Sequence, residues 1–405
     1  MRPYFYIMLV FCSVAAPLKA ADPVVARIEM KLTLKDKVID VIQPGDLLTV
    51  LSERENAYVI QTFNGKKGAV SKKNAVLLSE SVPIYDALIG ANADDGRLYT
   101  LRASANWAAG DADGALDDYN KAIDLGYDEA HAFTSRGLFY AATGKQELAL
   151  KDYTQAIERD GKDDLPLINR AAVYVSTGKY EEAIGDYDAA VKLRPQNPVL
   201  FSQRAVAKKL AGDLKGAVAD YSKTIELSDE DVAAWMGRGF VKYQLEDHEG
   251  AIADFTRVVE LAPQTAVAFN NRGFNYQILG QHENALQDFT KATELAPRYL
   301  LALQNKAWLL TICEQKDLRD PNAAIEAAKA VCEITEYESV SDLTLLAAAH
   351  AAAEEFEEAI GWQEKAIEKA TEEQSEVSKK ILELYQDERP LDPKLLNRGQ
   401  PESKG

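Results

Sequence analysis

The sequence is poor in the residues that build metal and redox centres. It holds only four histidines and three cysteines among 405 residues. The histidines are scattered, and none stands in the spacing of a known metal-binding motif; they are His131, His248, His282 and His350. The sequence therefore predicts no metal site and no cofactor.

Motifs for catalysis are also missing. Gly144-Lys145 lacks the earlier glycine and the following Ser or Thr of a phosphate-binding loop. Asp111 to Gly114 lacks the third acid of a calcium loop, and a turn followed by a helix N-cap explains it better. No serine or cysteine has a base at a suggestive spacing. We therefore expect no enzymatic activity.

Long apolar runs are absent beyond the N-terminus. Arg2 followed by the apolar run Tyr4 to Ala16 predicts a signal peptide over residues 1–20, cleaved after Ala20 or Ala21. The run is short for a membrane span of about 20 residues, so an uncleaved anchor is the less favoured alternative. We expect a periplasmic or secreted protein with no integral membrane segment after signal removal.

Two cysteines follow the predicted signal, Cys313 and Cys332. Their expected positions on antiparallel helices are offset by around ten residues, or ~15 Å along the axis. Bridged cysteines need Cα atoms within about 7 Å. We expect two buried thiols.

Acidic residues are in excess, and the net charge is −18. Such a surface repels phosphate backbones and anionic membranes, which argues against nucleic acid as a partner.

A fixed interval organises most of the chain. Alanines recur every 34 residues, and each is followed four residues later by an aromatic ring. A bulky residue stands sixteen positions before each alanine, and a small residue twelve before it. The alanines are Ala115, Ala149, Ala183, Ala217, Ala251 and Ala285; the rings are Tyr119, Tyr153, Tyr187, Tyr221, Phe255 and Phe289. This period is the signature of a stacked repeat.

The pattern resembles the tetratricopeptide repeat, with closing prolines at Pro195, Pro263 and Pro297. The resemblance implies a mainly α fold, a right-handed superhelix of about eight helical hairpins over residues 96–373. A seventh alanine, Ala324, comes after 39 residues instead of 34. We expect a lone linking helix over 81–95, a capping helix over 374–387 and a disordered tail over 388–405.

Residues 22–80 have a different pattern, with short alternating runs and turn signals such as Asn64-Gly65. The order Gly45 to Val50, then Ala57 to Val59, then Gly68 to Val70 resembles a bacterial SH3-like domain, which implies a small β-barrel. The basic residues Lys66, Lys67, Lys72 and Lys73 suggest a site for a cell-wall polymer; solvated loop lysines are the preferred interpretation.

Arginine stands before the small residue of each first helix, and an aspartate sixteen residues later lies on the second helix. An anion-binding row and a structural salt-bridge ladder are both possible. We favour the ladder, because the acid repeats as faithfully as the base. The predicted pairs are Arg136–Asp152, Arg170–Asp186, Arg204–Asp220, Arg238–Asp254 and Arg272–Asp288.

The resemblance implies that partners bind in a concave groove lined by the first helices. Groove positions become aromatic late in the chain, over residues 233–312, and an apolar helix or extended peptide would suit them. Packing between neighbouring first helices is the equal alternative. The predicted groove residues are Leu138, Phe240, Tyr243, Phe274, Gln277 and Trp308.

These patterns predict an exported interaction scaffold that holds a partner protein or peptide in the groove. The alternative is a cell-wall or polysaccharide-binding module that acts through the barrel.

Overall fold

A computed structural model describes residues 21–34, 37–62, 64–127, 129–392 and 395. The chain divides into two compact units between Asp213 and Leu214. The predicted signal peptide, and all of the predicted tail except residues 388–392 and 395, lie outside the described residues. No helix of the described part is both long and apolar enough to cross a bilayer.

The first unit begins with antiparallel strands. Five form one sheet in the order β6-β5-β4-β1-β7, and β2 and β3 form a separate pair. The strands are β1 (Ala21–Ala26), β2 (Met30–Leu34), β3 (Lys37–Ile42), β4 (Leu47–Glu53), β5 (Ala57–Gln61), β6 (Lys67–Ser71) and β7 (Ala75–Leu77).

Alternation of side chains determines which face of this sheet is buried. In β4, Leu48 and Val50 point into the core while Leu47 and Leu51 are exposed. The turn predicted at Asn64-Gly65 joins β5 to β6, and Gly65 has φ 73°. The small N-terminal sheet agrees with the prediction, whereas the likeness to an SH3 domain stays a prediction.

Eight helices follow in the first unit, most of them paired as helix hairpins. They are α1 (Val82–Ala91), α2 (Gly96–Ala109), α3 (Ala112–Asp124), α4 (Glu129–Ala142), α5 (Gln146–Arg159), α6 (Leu165–Ser176), α7 (Tyr180–Leu193) and α8 (Pro198–Leu210).

The second unit is helical throughout its described elements. It contains α9 (Leu214–Leu227), α10 (Val232–Gln244), α11 (His248–Leu261), α12 (Ala266–Ile278), α13 (His282–Leu295), α14 (Leu300–Ile312), α15 (Pro321–Ile334), α16 (Val340–Ala352), α17 (Phe356–Lys369) and α18 (Glu372–Gln386). The prediction of a mainly α fold, with repeat hairpins after a small sheet, is confirmed.

The recurring alanines and rings lie at the centre of each hairpin. All six alanines are fully buried, and so are the rings that follow them. The ring packs flat against the small residue of the first helix: a Cβ on Gly137 would stand 2.7 Å from Cε1 of Tyr153. This contact explains why only glycine or alanine occupies the small position, since a larger side chain would separate the helices.

Helix α1 connects the strands to the repeats within the first unit. Its Tyr85, at the ring position of the register, is completely buried and donates a hydrogen bond to the Gly45 carbonyl at 3.1 Å. The Gly45 backbone is so close to α1 that a Cβ there would meet Leu88 at 2.6 Å. Arg97 at the start of α2 adds an ion pair to Asp46 at 3.0 Å.

Thr371 and Gln374 form a capping box at the start of α18.

The chain beyond α18 differs from the prediction. Residues from 388 were expected to be disordered, yet Leu391 is buried against Ala347, Ala348 and Tyr385. Leu391 is buried even though prolines and charged residues surround it in the sequence.

In the turn between the two helices of a repeat, one residue has a left-handed backbone conformation. Glycine holds it at Gly110, Gly144, Gly178, Gly212 and Gly280, but glutamate holds it at Glu246 and Glu354, with φ 63° and 64°. A residue with a Cβ is strained in this conformation by about 1–2 kcal/mol.

Replacing Glu354 by glycine should therefore raise the free energy of unfolding by up to ~1 kcal/mol, since the relief of strain is partly offset by the entropy of glycine. The reverse change, Gly280→Ala, should lower it by about 1–2 kcal/mol, although its Cβ would meet open space. Urea denaturation midpoints measure both. Equal midpoints for Gly280→Ala and the wild type would contradict this account.

The buried phenols predict a loss of stability in alkali. Burial raises the pKa of Tyr153, Tyr187 and Tyr221 to about 12. Their ordinary pKa is near 10, so their contribution is complete below pH 10 and is lost as the pH rises through 12. The denaturation midpoint should fall in this window. Tyr153→Phe should reduce the fall, because phenylalanine fills the same position at Phe255; a parallel fall in both proteins would argue against this cause.

Candidate functional site

The repeating arginines form two-pronged ion pairs with the aspartates of the second helices. In the first unit, Arg136 donates from Nε and Nη2 to Asp152 at 2.7 and 2.8 Å, and Arg170 does the same to Asp186. In the second unit, Arg238 pairs with Asp254 and Arg272 with Asp288 at 2.7–2.9 Å.

The predicted pair Arg204 and Asp220 has its members in different units. Within the first unit, Nη1 of Arg204 donates to Asp188 at 2.6 Å. Within the second unit, Asp220 is buried in α9.

The third nitrogen of each guanidinium bonds to the preceding repeat. Nη1 of Arg136 donates to Asn120 at 2.7 Å, and Nη1 of Arg170 donates to Thr154 at 2.8 Å. In every case the acceptor directly follows a ring of the register. The full row is Asp86, Asn120, Thr154, Asp188, Ser222 and Thr256. The sequence analysis missed this row, although an oxygen acceptor follows every ring.

Aromatic side chains cover the faces of the same guanidinium groups. Arg136 lies 5.4 Å from the ring centre of Phe133, and Arg238 lies 4.7 Å from that of Trp235. All three nitrogens of Arg136 donate to protein groups and its face meets a ring. The guanidinium group of Arg136 thus joins successive repeats, and none of its nitrogens is left for an anion.

The predicted groove residues have different surroundings. In the first unit Leu138 is exposed. In the second unit Phe240, Tyr243 and Gln277 are half-buried, and the rings of Phe240 and Tyr243 are 6.4 Å apart. Trp308 is also half-buried and packs against two apolar clusters.

Phe274 does not agree with a groove role. Its side chain is only 7% exposed and packs against Phe289, Leu309 and Cys313. Tyr243 covers it edge-on with ring centres 5.7 Å apart. Packing between neighbouring first helices, the alternative interpretation, describes this residue better.

An open apolar face lies instead on the first helices of the first unit. We call it the first-helix face and define it by Leu138, Leu165, Val199 and Leu210, which are 39%, 44%, 54% and 44% exposed. Leu165 and Val199 stand six residues before the small residue of their repeat. Leu138 stands one residue after it and Leu210 five residues after it. These offsets fall within about 40° of one another around a helix of 3.6 residues per turn. Helices α4, α6 and α8 therefore present them on one side.

This face is almost free of charge. The three offsets on α4, α6 and α8 comprise nine positions, and none holds Asp, Glu, Lys or Arg, in a chain with 27% charged residues. The nine are His131, Leu138, Ala142, Leu165, Ala172, Ser176, Val199, Val206 and Leu210. On α4, α6 and α8 the first-helix face therefore suits an apolar partner better than an ionic one. On α2, the remaining first helix of this unit, the charged Arg97 stands at one of the three offsets.

One of the four lysines of the strand region is engaged within the sheet. Lys72 pairs with Glu53 at 2.5 Å and lies 5.4 Å from the ring centre of Tyr58. Lys66, Lys67 and Lys73 are exposed, as solvated loop lysines are.

Other reactive groups in the described part are buried or isolated. Cys313 and Cys332 are free and buried, and burial raises the pKa of Cys332 to about 12. The described residues contain no group of three or more metal-ligating side chains of the His, Cys, Asp and Glu type.

Comparison with protein families identifies the repeats. Family models described as tetratricopeptide repeat match residues 78–130, 100–164, 204–266 and 266–299, and a model described as TPR repeat matches 171–212. The chain contains tetratricopeptide repeats. The match that starts at residue 78 includes α1, which the register places as a half repeat.

Solved structures with tetratricopeptide repeats are similar to this chain. The C-terminal part of a TPR repeat-containing protein from Cytophaga hutchinsonii shares 18% identity over 56% of this chain and 94% of its own, with a TM-score of 0.50. A tetratricopeptide repeat protein from Parabacteroides merdae shares 19% identity over 75% and 98%, with a TM-score of 0.42.

YrrB, described as a TPR protein with an unusual peptide-binding site, shares 26% identity over 47% of this chain and 99% of its own, with a TM-score of 0.43. Comparison with curated protein sequences gave no match.

The arginine bonds predict large effects on stability. Asp152→Ala should lower the free energy of unfolding by about 2–4 kcal/mol, because it leaves the half-buried Arg136 without its fork partner. Glu226→Ala is the control, since it removes an exposed pair with Lys223 and should cost less than about 0.5 kcal/mol. Chemical denaturation measures both, and similar losses would refute the distinction.

Proposed function

We propose that this chain is an exported interaction scaffold and that its repeats hold an apolar segment of a partner protein. The observation that carries the proposal is the first-helix face. Four large aliphatic side chains are exposed there on three helices of one unit, without a charge at any of the nine face positions. Exposing such side chains in water is unfavourable, and covering them with a partner recovers the hydrophobic free energy.

The rigidity of the repeats supports this role. The first helices are held by ion-paired arginines and by rings seated against small residues, so the face is formed before a partner arrives. A preformed surface loses little conformational entropy on binding. The apolar run near the N-terminus supports export, because it reads as a signal peptide.

The face differs from the region favoured by the sequence. Aromatic residues between 233 and 312 are half-buried or buried, and they support neighbouring helices. At the three offsets of the first-helix face, α4, α6 and α8 expose four large apolar residues, whereas the later region exposes Ile278. We therefore place the main contact on the first unit.

The double change Leu165→Asp with Val199→Asp should abolish partner capture. Each substitution puts a charge where an aliphatic group would be buried, which should weaken binding at least tenfold. The matched control is Leu148→Asp: Leu148 is also 44% exposed, but it lies on the second helix α5. Cross-linking and pull-down from a periplasmic extract compare the wild type and both variants.

Capture that is lost in the double variant and kept in the control supports the proposal. Equal capture by all three proteins, with unchanged circular dichroism, would show that the first-helix face is not the binding surface. Export is measured separately, by fusing residues 1–21 to an enzyme that is active only outside the cytoplasm; an inactive fusion would contradict it.

A further inference from the structure

The described residues 388–392 and 395 follow α18, and we call these six residues the 388–395 segment. Leu391 is buried while its four described neighbours, 388–390 and 392, are exposed. It packs on Ala347, Ala348 and Ala351 of α16, and Leu395 packs against the same cluster.

The contact surface of this segment overlaps in register with the first-helix face. Ala348 stands one residue after the small Ala347 of its repeat, which is the offset that Leu138 has on α4. Leu391 packs on Ala347, Ala348 and Ala351, and we call this alanine surface of α16 the end slot. Pro390 and Leu391 also border a neighbouring cleft of about 400 Å³, whose lining includes Arg319, Glu354 and Glu388.

The end of α18 directs the chain into the end slot. Glu388 adopts a left-handed conformation with φ 54°. The Arg389 amide donates to the Leu384 carbonyl at 2.9 Å, and the Glu388 amide to the Tyr385 carbonyl at 3.0 Å. These bonds reverse the chain at the helix end. An ion pair between Arg389 and Asp387 at 2.7 Å adds to the turn.

We infer that the 388–395 segment is an internal ligand of the end slot, held mainly by Leu391 and able to exchange with a similar segment in solution. Leu391 and the half-buried Leu395 make a small contact between exposed neighbours, and such a contact opens readily. The end slot is formed by alanines, so it suits a leucine such as Leu391, which follows Pro390. This inference does not depend on the proposed function, because the occupant is part of this chain.

Occupation has a consequence for access to the repeats. While Leu391 is in place, the alanine wall of α16 is covered, and Trp308 lies within the same cluster. Release of the segment uncovers both. The chain therefore contains a built-in competitor for any leucine-bearing partner at this end.

The test is binding of a fluorescein-labelled peptide that spans residues 386–397, measured by anisotropy on the full chain. Leu391→Asp should release the internal segment, so the variant should bind the peptide at least tenfold more tightly than the wild type. The matched control is Gln386→Asp, which adds the same charge on an exposed position of α18 and should bind as the wild type does. A peptide with Asp at both leucine positions, 391 and 395, should not bind any of the proteins.

Hydrogen exchange in residues 340–352 provides a second measurement. It should be faster in Leu391→Asp than in Gln386→Asp, because only the former uncovers α16. Equal peptide affinity for the three proteins, or no binding to a folded Leu391→Asp chain, overturns the inference. Should that variant lose its helical circular dichroism, Leu391→Ala is assayed in the same way under the same criteria.

Discussion

The regular repeats of this protein depend on a guanidinium group that each shares with the repeat before it. Arg136 uses two nitrogens on Asp152 of its own hairpin and the third on Asn120 of the one before. A single residue thus fixes the distance between two helices and the orientation between two repeats. The planar fork of arginine suits this task because its three nitrogens are separate atoms that reach two different residues, whereas the ammonium of lysine donates from a single atom. The flat ring beneath it, Phe133, excludes water from one side.

The repeated architecture could be predicted because its causes are local and periodic. A ring needs a small partner to pack against, and this requirement recurs at one interval from Gly137 with Tyr153 to Gly273 with Phe289. The register also located α1, since Tyr85 occupies a ring position before the first complete hairpin. The arginine contact with the preceding repeat also has a periodic signal, since an oxygen acceptor follows every ring. The pattern of acidic residues does not reveal it, because Asn120, Thr154 and Ser222 are not acids.

The exposed surface of the repeats was harder to predict, because exposure depends on neighbouring repeats. Phe274 and Leu138 share one register position, directly after the small residue, yet the first is buried and the second is exposed. Phe274 is covered by Tyr243 of the repeat before it and packs against Leu309 of the repeat after it. Likewise, the prolines and charges after residue 388 suggested disorder, and only the packed structure of α16 and α18 provides the surface that buries Leu391.

The chemistry of the arginine acceptors has a consequence for how the chain can change in length. A carboxylate, a carboxamide or a hydroxyl serves equally well, as Asp188, Asn120 and Thr154 show. The joint between repeats is therefore generic, and a block of 34 residues could be gained or lost by recombination without leaving a guanidinium unmatched. An insertion within one of these helices would shift the paired residues out of register. The regular block ends where Lys306 replaces arginine and the spacing lengthens before Ala324.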